Sequence, residues 1–442
     1  MDGETSHPPT ASGGGPLPLS KREGFLGTFD RRLDPISTAP LAVGFSGGGD
    51  SLFLLKTALD WARPRGRSVL ALVVDHQLQP DSARWTKDAL AKAQALGADV
   101  RALAWTGPKP ASGLPAAARR ARHALLANAA REAGASVLLL GHTASDLAEG
   151  AAMRAEGSTV TDPREWAPSP VWPEGRDIFL LRPLLGLTRA EIRASLAADG
   201  ETWLEDPANA DLRYARARAR ARAGGVVEAE SEPPPSSTPP LFSVDEAGAI
   251  RLPRDIAAAH LAAALLCAAG TERPPRGDRL ERLIQRLRNG EFFAATLAGA
   301  RIEAEQEVLV CRDAGETARG GLAPLALAPG ETGVWDGRWE IAAGAAPLTI
   351  SALKGQASRL SPEPRARLTK LPAAVRPSLP LILRHGAAPC APALDGPEFA
   401  VEGGGRARLL VFGRFEAAVG LHDKESATGR HVRGASAREP LS

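Results

Sequence analysis

An α/β fold, a parallel sheet covered by helices on both faces, is predicted by three observations. Short apolar runs alternate with helical stretches through the first half of the chain. Those runs are apolar throughout rather than at every second position, as befits strands with no solvent-facing side. Glycine and capping signals stop and start the helices between them. In such sheets ligands sit beyond the carboxyl ends of the strands.

The elements follow in order. Residues 1–39 are expected to be a disordered leader; the stretch MDGETSHPPTASGGGPLPLS lacks the basic start and apolar middle of a secretion signal. Leu41–Phe45 is a buried-strand candidate, and Ser51–Ala62 a helix with Leu52, Leu55 and Leu59 on one side. Val69–Val74 is the second strand, Asp81 to Leu96 a helix stopped by Gly97, and Asp99–Trp105 a third strand. Pro115 to Ala133 reads as a strong helix, with proline in its first turn and Gly134 just beyond its end. Val137–Leu140 and Ile178–Leu181 complete the strands. Thr188-Arg189-Ala190-Glu191 fits a capping box opening a helix that ends at Gly200.

These elements define an expected domain at 40–222. The acid-, serine- and proline-rich segment AGGVVEAESEPPPSSTPP makes 223–241 a linker. Residues 242–315 are expected to form a small domain from two helices, Ala257–Ala269 and Asp278–Leu287, and a hairpin over Thr296–Arg312. Residues 316–442 are proline-broken and weakly β.

At 442 residues the chain is too long for a single core. No apolar run is long enough to span a membrane. Cys267, Cys311 and Cys390 form no CxxC pair, which argues against zinc, an iron–sulfur cluster or a disulfide framework and leaves a reducing cytoplasm as the default. A net charge of +3 says little about partners, so any nucleic-acid surface must come from local clustering.

Chemistry first appears at Ser46-Gly47-Gly48-Gly49-Asp50-Ser51. Two other GGG triplets, at Gly13 and Gly403, lack a strand before and a helix after them; only this one has both. Glycines let backbone N–H groups converge without Cβ obstruction, and the helix start adds unpaired N–H groups and a positive dipole end. Ser46 and Ser51 can donate hydroxyls to phosphate, and Asp50 can bind Mg²⁺. The bland alternative is a strand–helix turn with a serine cap. No Lys-Ser/Thr follows, so this is not the GxxxxGK[ST] loop.

The loop resembles the SGGxDS pyrophosphate-binding loop of the N-type ATP pyrophosphatases. Three further stretches resemble one branch of them, the tRNA(Ile)-lysidine synthetase family: Val74-Asp75-His76-Gln77-Leu78-Gln79-Pro80-Asp81-Ser82, Ala118-Arg119-Arg120-Ala121-Arg122-His123, and Arg182-Pro183-Leu184-Leu185 followed by Trp203-Leu204-Glu205-Asp206-Pro207-Ala208-Asn209. The match runs in order across roughly Leu41 to Arg220. It implies a Rossmann-like fold of the adenine nucleotide alpha hydrolase type. It also implies a two-step reaction, in which ATP adenylates the C2 carbonyl oxygen of the wobble cytidine in the CAU anticodon of an isoleucine tRNA. The ε-amine of free lysine then attacks C2 and expels AMP.

Gly141-His142-Thr143-Ala144-Ser145-Asp146-Leu147-Ala148-Glu149-Gly150 aligns with the family's GHHADDQAET but carries Ser145, Leu147 and Gly150 in place of Asp, Gln and Thr. Asp146 and Glu149 remain, three apart on one helical face. They are the candidates to hold the attacking lysine and, with Asp50, Mg²⁺; either can take the amine's proton, since an ammonium has no lone pair. The competing reading is an acidic first turn favoured by the helix dipole. The resemblance puts Asp75, His76 and His142 at the nucleotide, although a core role for His76 is nearly as favoured.

Arg213, Arg216, Arg218, Arg220 and Arg222 crowd a stretch without carboxylates. Phosphate contact is the favoured reading over a solvated alanine–arginine helix. The resemblance adds Arg119, Arg122 and Arg182 around nucleotide and anticodon. Partners are therefore the CAU tRNA and free lysine, with no membrane; oligomeric state is left open, a homodimer among the options. The rivals are another ATP pyrophosphatase such as a tRNA thiolase, disfavoured because all three cysteines lie beyond Leu266, and a non-catalytic tRNA-binding relative.

Overall fold

The computed structural model describes residues 17, 19–158, 161–204, 241–275, 277–395 and 405–428. The chain divides into two compact units, Met1–Pro235 with His422–Ser442, and Ser236–Leu421.

In the first unit a six-stranded sheet is ordered β3-β2-β1-β4-β6-β5. Its strands are β1 (Leu41–Gly44), β2 (Val69–Asp75), β3 (Asp99–Ala104), β4 (Val137–Leu140), β5 (Trp166–Pro168) and β6 (Phe179–Leu181). Strands β1, β2, β3, β4 and β6 are parallel; β1 and β4, apolar throughout, are buried at every position, whereas β3, with Asp99 and Arg101, is a largely exposed edge strand. The antiparallel edge strand β5 has no sequence signal, because its three residues, two of them tryptophan and proline, pair only through β6.

Strand β1 sits between β2 and β4, so successive connections leave it toward opposite edges. The register Gly44↔Leu72 and Gly44↔Leu140 aligns the ends of all three strands. The crevice where the strand order reverses therefore opens at the loops after β1 and β4, the ligand position expected of such sheets.

Helices α1 (Leu19–Arg32), α2 (Gly49–Ala62), α3 (Ser82–Ala95), α4 (Leu114–Glu132), α5 (Ala144–Ala155) and α6 (Arg189–Ala198) cover the sheet. Helix α1 corrects the expectation of a disordered leader through residue 39. Phe25, Phe29 and Leu33 recur at helical spacing and enter the core; Phe29 is fully buried, and Phe25 meets Phe53 edge-on at 5.5 Å.

The chain's last described residues also belong to this unit, which the boundary at 316–442 does not anticipate. Trp166 Nε1 donates to the His422 carbonyl at 2.7 Å, and Arg32 to the Asp423 carbonyl at 2.7 Å. Glu425 accepts from the Asp34 amide at 2.9 Å and from both Nη atoms of Arg67. The Arg67 and Glu425 side chains are only 1% and 4% exposed.

In the second unit a five-stranded antiparallel sheet contains Phe293–Leu297, Ala300–Ala304 and Val308–Arg312 as neighbours. The expected hairpin over Thr296–Arg312 is thus a three-stranded meander. Ala298 and Gly299, at φ 53° and 86°, make the tight two-residue turn that joins its first two strands. Helix Ala258–Ala269 packs its buried face on this sheet, and two three-stranded sheets follow.

Removing one member of a buried ion pair strands the other charge, at a cost of about 3–5 kcal/mol. Glu425→Ala is expected to lower stability by that amount in denaturant titration, and Arg67→Met with Glu425→Leu to recover part of it.

Candidate active site

The loop from Ser46 to Gly49 leaves β1 and starts α2. Gly47 has φ 80°, a conformation L side chains rarely adopt. The helix N-cap is Gly48, which supplies no side-chain cap, so the first N–H groups of α2 are not spent on one; a helix start of this kind is suited to an anion. The Ser51 hydroxyl donates to the Gly48 carbonyl at 2.9 Å and accepts from the Ser46 amide at 3.2 Å and the Ser46 hydroxyl at 3.1 Å. One donor and two acceptors exhaust a hydroxyl. Ser51, expected to touch phosphate, is an internal brace of the loop in this geometry; Ser46 is exposed and can turn its hydroxyl outward.

Across the crevice, Gly141 follows β4. A Cβ there would lie 3.2 Å from the Asp50 carbonyl group and 3.3 Å from the Ser51 nitrogen. Glycine lets the start of α5 come this close to the start of α2. Thr143, fully buried, opens α5 with a capping box: its amide and hydroxyl each reach Asp146 Oδ2 at 2.9 Å. Thr188 and Glu191 cap α6 the same way. The Ala144 amide donates to the Leu187 carbonyl at 2.8 Å, and the Arg189 amide to Ser145 Oγ at 3.2 Å. The departure at Ser145 thereby gives the two helix starts a mutual bond.

Arg189 joins everything. Its Nε donates to Asp50 Oδ2 at 3.0 Å, Nη2 to Asp146 Oδ1 at 2.8 Å, and Nη1 to Glu149 Oε1. The expected trio of Asp50, Asp146 and Glu149 is thus assembled, from α2 and α5, around one guanidinium from α6. Three carboxylates and one arginine leave a formal charge of −3 + 1 = −2. Burial raises the Asp50 carboxyl above its ordinary value; Arg189 opposes this, and the Asp146 charge adds to it. Burial works against the Arg189 charge, but Asp146, Glu149 and Asp50 outweigh it and hold the guanidinium above its usual range.

In the sequence Arg189 stands only as an interior position of the capping box Thr188–Glu191. A signal did exist: a cation in the first helical turn opposes the helix dipole, so an arginine there asks for acidic partners from elsewhere.

Other expected site residues fall into two groups. Arg119, Arg122 and Arg182 surround His123, and burial together with these charges lowers its imidazole to about 3. Arg119 is exposed. Arg182, expected to contact tRNA, is only 5% exposed; its Nε donates to His142 Nδ1 at 3.2 Å and its Nη1 to the Arg164 carbonyl at 2.8 Å. Burial, with Arg119 adding, brings its guanidinium down to about 10. At the end of β2, Asp75 Oδ1 accepts the Gln77 amide at 2.8 Å, and Gln77 takes φ 52° where the family pattern often has glycine. His76 meets Trp105 edge-on at 6.2 Å. Arg213, Arg216, Arg218 and Arg220 lie outside the described residues, as do Glu205 to Asn209.

Residues 25–225 match the family model described as a PP-loop domain. The chain is 68% identical to the tRNA(Ile)-lysidine synthase of Caulobacter vibrioides, over 90% of this chain and 98% of that protein. Synthases of the same name from Hyphomonas neptunium and Rhizobium meliloti are 36% and 34% identical, over 64% and 76% of this chain and 83% and 78% of theirs. The fold and crevice define an ATP-using PP-loop enzyme. The chain belongs to the tRNA(Ile)-lysidine synthase family.

Two outcomes follow from the geometry. Arg189→Gln removes the charge that opposes the upward shift of Asp50, so the acid limb of the kcat/KM profile should move to higher pH. Activity should fall about 100-fold, the scale of losing one preorganised charge contact; a pH–rate series checks both. Gly141→Ala should push the starts of α5 and α2 apart and cut kcat by more than it lowers the Tm-derived stability, checked by paired kinetics and melting.

Proposed function

We infer that this chain ligates lysine to C2 of the wobble cytidine in the CAU anticodon of tRNA(Ile), in the cytoplasm, through an adenylated tRNA. In the first step the cytidine O2 bonds to the α-phosphorus of ATP and the bond to pyrophosphate breaks. In the second the lysine ε-amine bonds to C2 and the C2–O2 bond breaks, releasing AMP. The observation that carries the reading is the convergence of Asp50, Asp146 and Glu149 on Arg189 beside a glycine loop at the strand-order switch.

The backbone N–H groups of Gly47 to Ser51 cradle the departing pyrophosphate, with Ser46 as side-chain donor. Asp50 and Asp146 fit a divalent cation: their oxygens are hard donors, both reach one guanidinium, and the cluster's −2 charge matches. Mg²⁺ is commonly held by one or two carboxylates together with substrate phosphates and water, the donor set these two aspartates and ATP would supply. When bound, Mg²⁺ supplies neutralisation of phosphate charge. Asp146 and Glu149 hold the lysine, and a carboxylate oxygen takes the proton its amine must lose. Asp75, His76 and His142 line the nucleoside end. Arg119 and Arg122 face RNA, and buried Arg182 orients His142.

A thiolase reading loses support. All three cysteines sit in the second unit, and burial raises their thiols, Cys267 to about 11, Cys311 and Cys390 to about 12.

With a tRNA(Ile) CAU transcript, ATP, Mg²⁺ and labelled lysine, acid-stable label should enter RNA. Asp146→Asn should abolish it; retained incorporation would remove Asp146 from the reaction. Arg216→Ala with Arg218→Ala should flatten the slope of log affinity for tRNA against log salt by roughly 1–2, the loss of about two phosphate contacts.

A further inference from the structure

We propose that Trp203 and Leu204 are positioning residues for ATP: a strap that fixes the outer side of the glycine loop. The inference rests on the reading that this loop takes the pyrophosphate end of ATP.

Three consecutive glycines carry no side chain with which to hold their own shape, yet a phosphate cradle works only if its N–H dipoles are aimed beforehand. The Ser51 hydroxyl braces the inner side of the loop. The outer side is held from another part of the chain. The Leu204 amide donates to the Gly47 carbonyl at 3.0 Å, which fixes the peptide plane that follows Gly47. The Leu204 side chain lies against the Gly47 α-carbon, so closely that a Cβ there would meet its Cδ1 at 2.6 Å. The Trp203 ring lies flat along Gly49, 3.6 Å from where a Cβ would stand. Gly47 is therefore constrained twice, by its φ of 80° and by the leucine.

The strap is itself anchored to the two helices that flank the loop. Glu201 accepts from Lys56 of α2 at 2.9 Å and from Lys92 of α3 at 2.6 Å, and Lys56 also reaches Asp199 at 3.1 Å. These lysines, Lys92 foremost, hold the Glu201 carboxyl below its usual range. Helix α6 ends at Ala198 with Asp199 as its C-cap, and Gly200, φ 70°, turns the chain out of the helix directly into this anchor and then onto the loop. The contacts of Leu204 and Trp203 described above fall on Gly47 and Gly49, the part of the site assigned to ATP. A defect in the strap should therefore be felt by ATP and not by lysine.

The test measures AMP release by the full-length enzyme with tRNA(Ile) transcript, Mg²⁺, ATP and lysine, varying each small substrate in turn. Leu204→Ala should raise KM for ATP about tenfold and leave KM for lysine within twofold; Leu204→Met, which refills the contact, should restore KM for ATP. Glu201→Gln keeps the side-chain shape and guards against a variant that fails to fold; it should move KM for ATP in the same direction by a smaller factor. An unchanged KM for ATP in both variants, or equal rises for ATP and lysine, overturns the strap. A wild-type chain that releases no AMP overturns the ATP reading beneath it instead.

Discussion

The first unit depends on one guanidinium. Three carboxylates brought together, partly or wholly out of water, repel one another. Arg189 makes their coexistence possible, and because its nitrogens diverge in a fixed plane it also dictates where each carboxylate oxygen points. Lysine at that position would supply the charge without the three-way geometry. The three carboxylates and one guanidinium leave the cluster with a residual negative charge.

That arrangement needs three helix starts in one place, and the sheet provides it. Strands β1 and β4 are adjacent and parallel, so α2 and α5 begin side by side; β6 lies next to β4, so the chain returns α6 to the same rim. Gly141 and Ser145 remove the last obstacles, the first by lacking a Cβ and the second by bonding the Arg189 amide. Each helix start also offers its positive dipole end to the same crevice. Acidic residues in the first turns of α2 and α5 are thus favoured twice, locally by the dipole and across space by Arg189. Asp146 divides its two oxygens between these roles, one for the cap and one for the arginine. The helix cap and the contact with Arg189 are therefore compatible in one side chain.

The glycine loop shows the same economy. Its glycines are needed for backbone convergence, and the shape they cannot hold alone is imposed by Ser51 from inside and by Leu204 from outside. The far end of the chain contributes at the opposite rim, where Glu425 fills a buried position beside Arg67 that no residue near it in sequence could fill.

Local pattern by itself determined the parallel sheet, most helix limits and the glycine loop, because apolar period, caps and glycine turns depend on neighbours within a few residues. It also marked Asp50, Asp146 and Glu149 as candidate acids through their places in helix first turns. It misjudged the leader, where Phe25 and Phe29 lie beyond a stretch rich in proline and glycine, and it missed the short edge strand β5. Only the tertiary structure decided that Arg189 meets Asp50 from 139 residues away, that Ser51 is consumed within its own loop, that Arg182 is buried, and that Leu204 and Glu425 brace distant segments. These are pairings between segments far apart in the chain. A residue's type announces what bonds it can make, but which partner it meets is set by the register and order of the strands that carry it there.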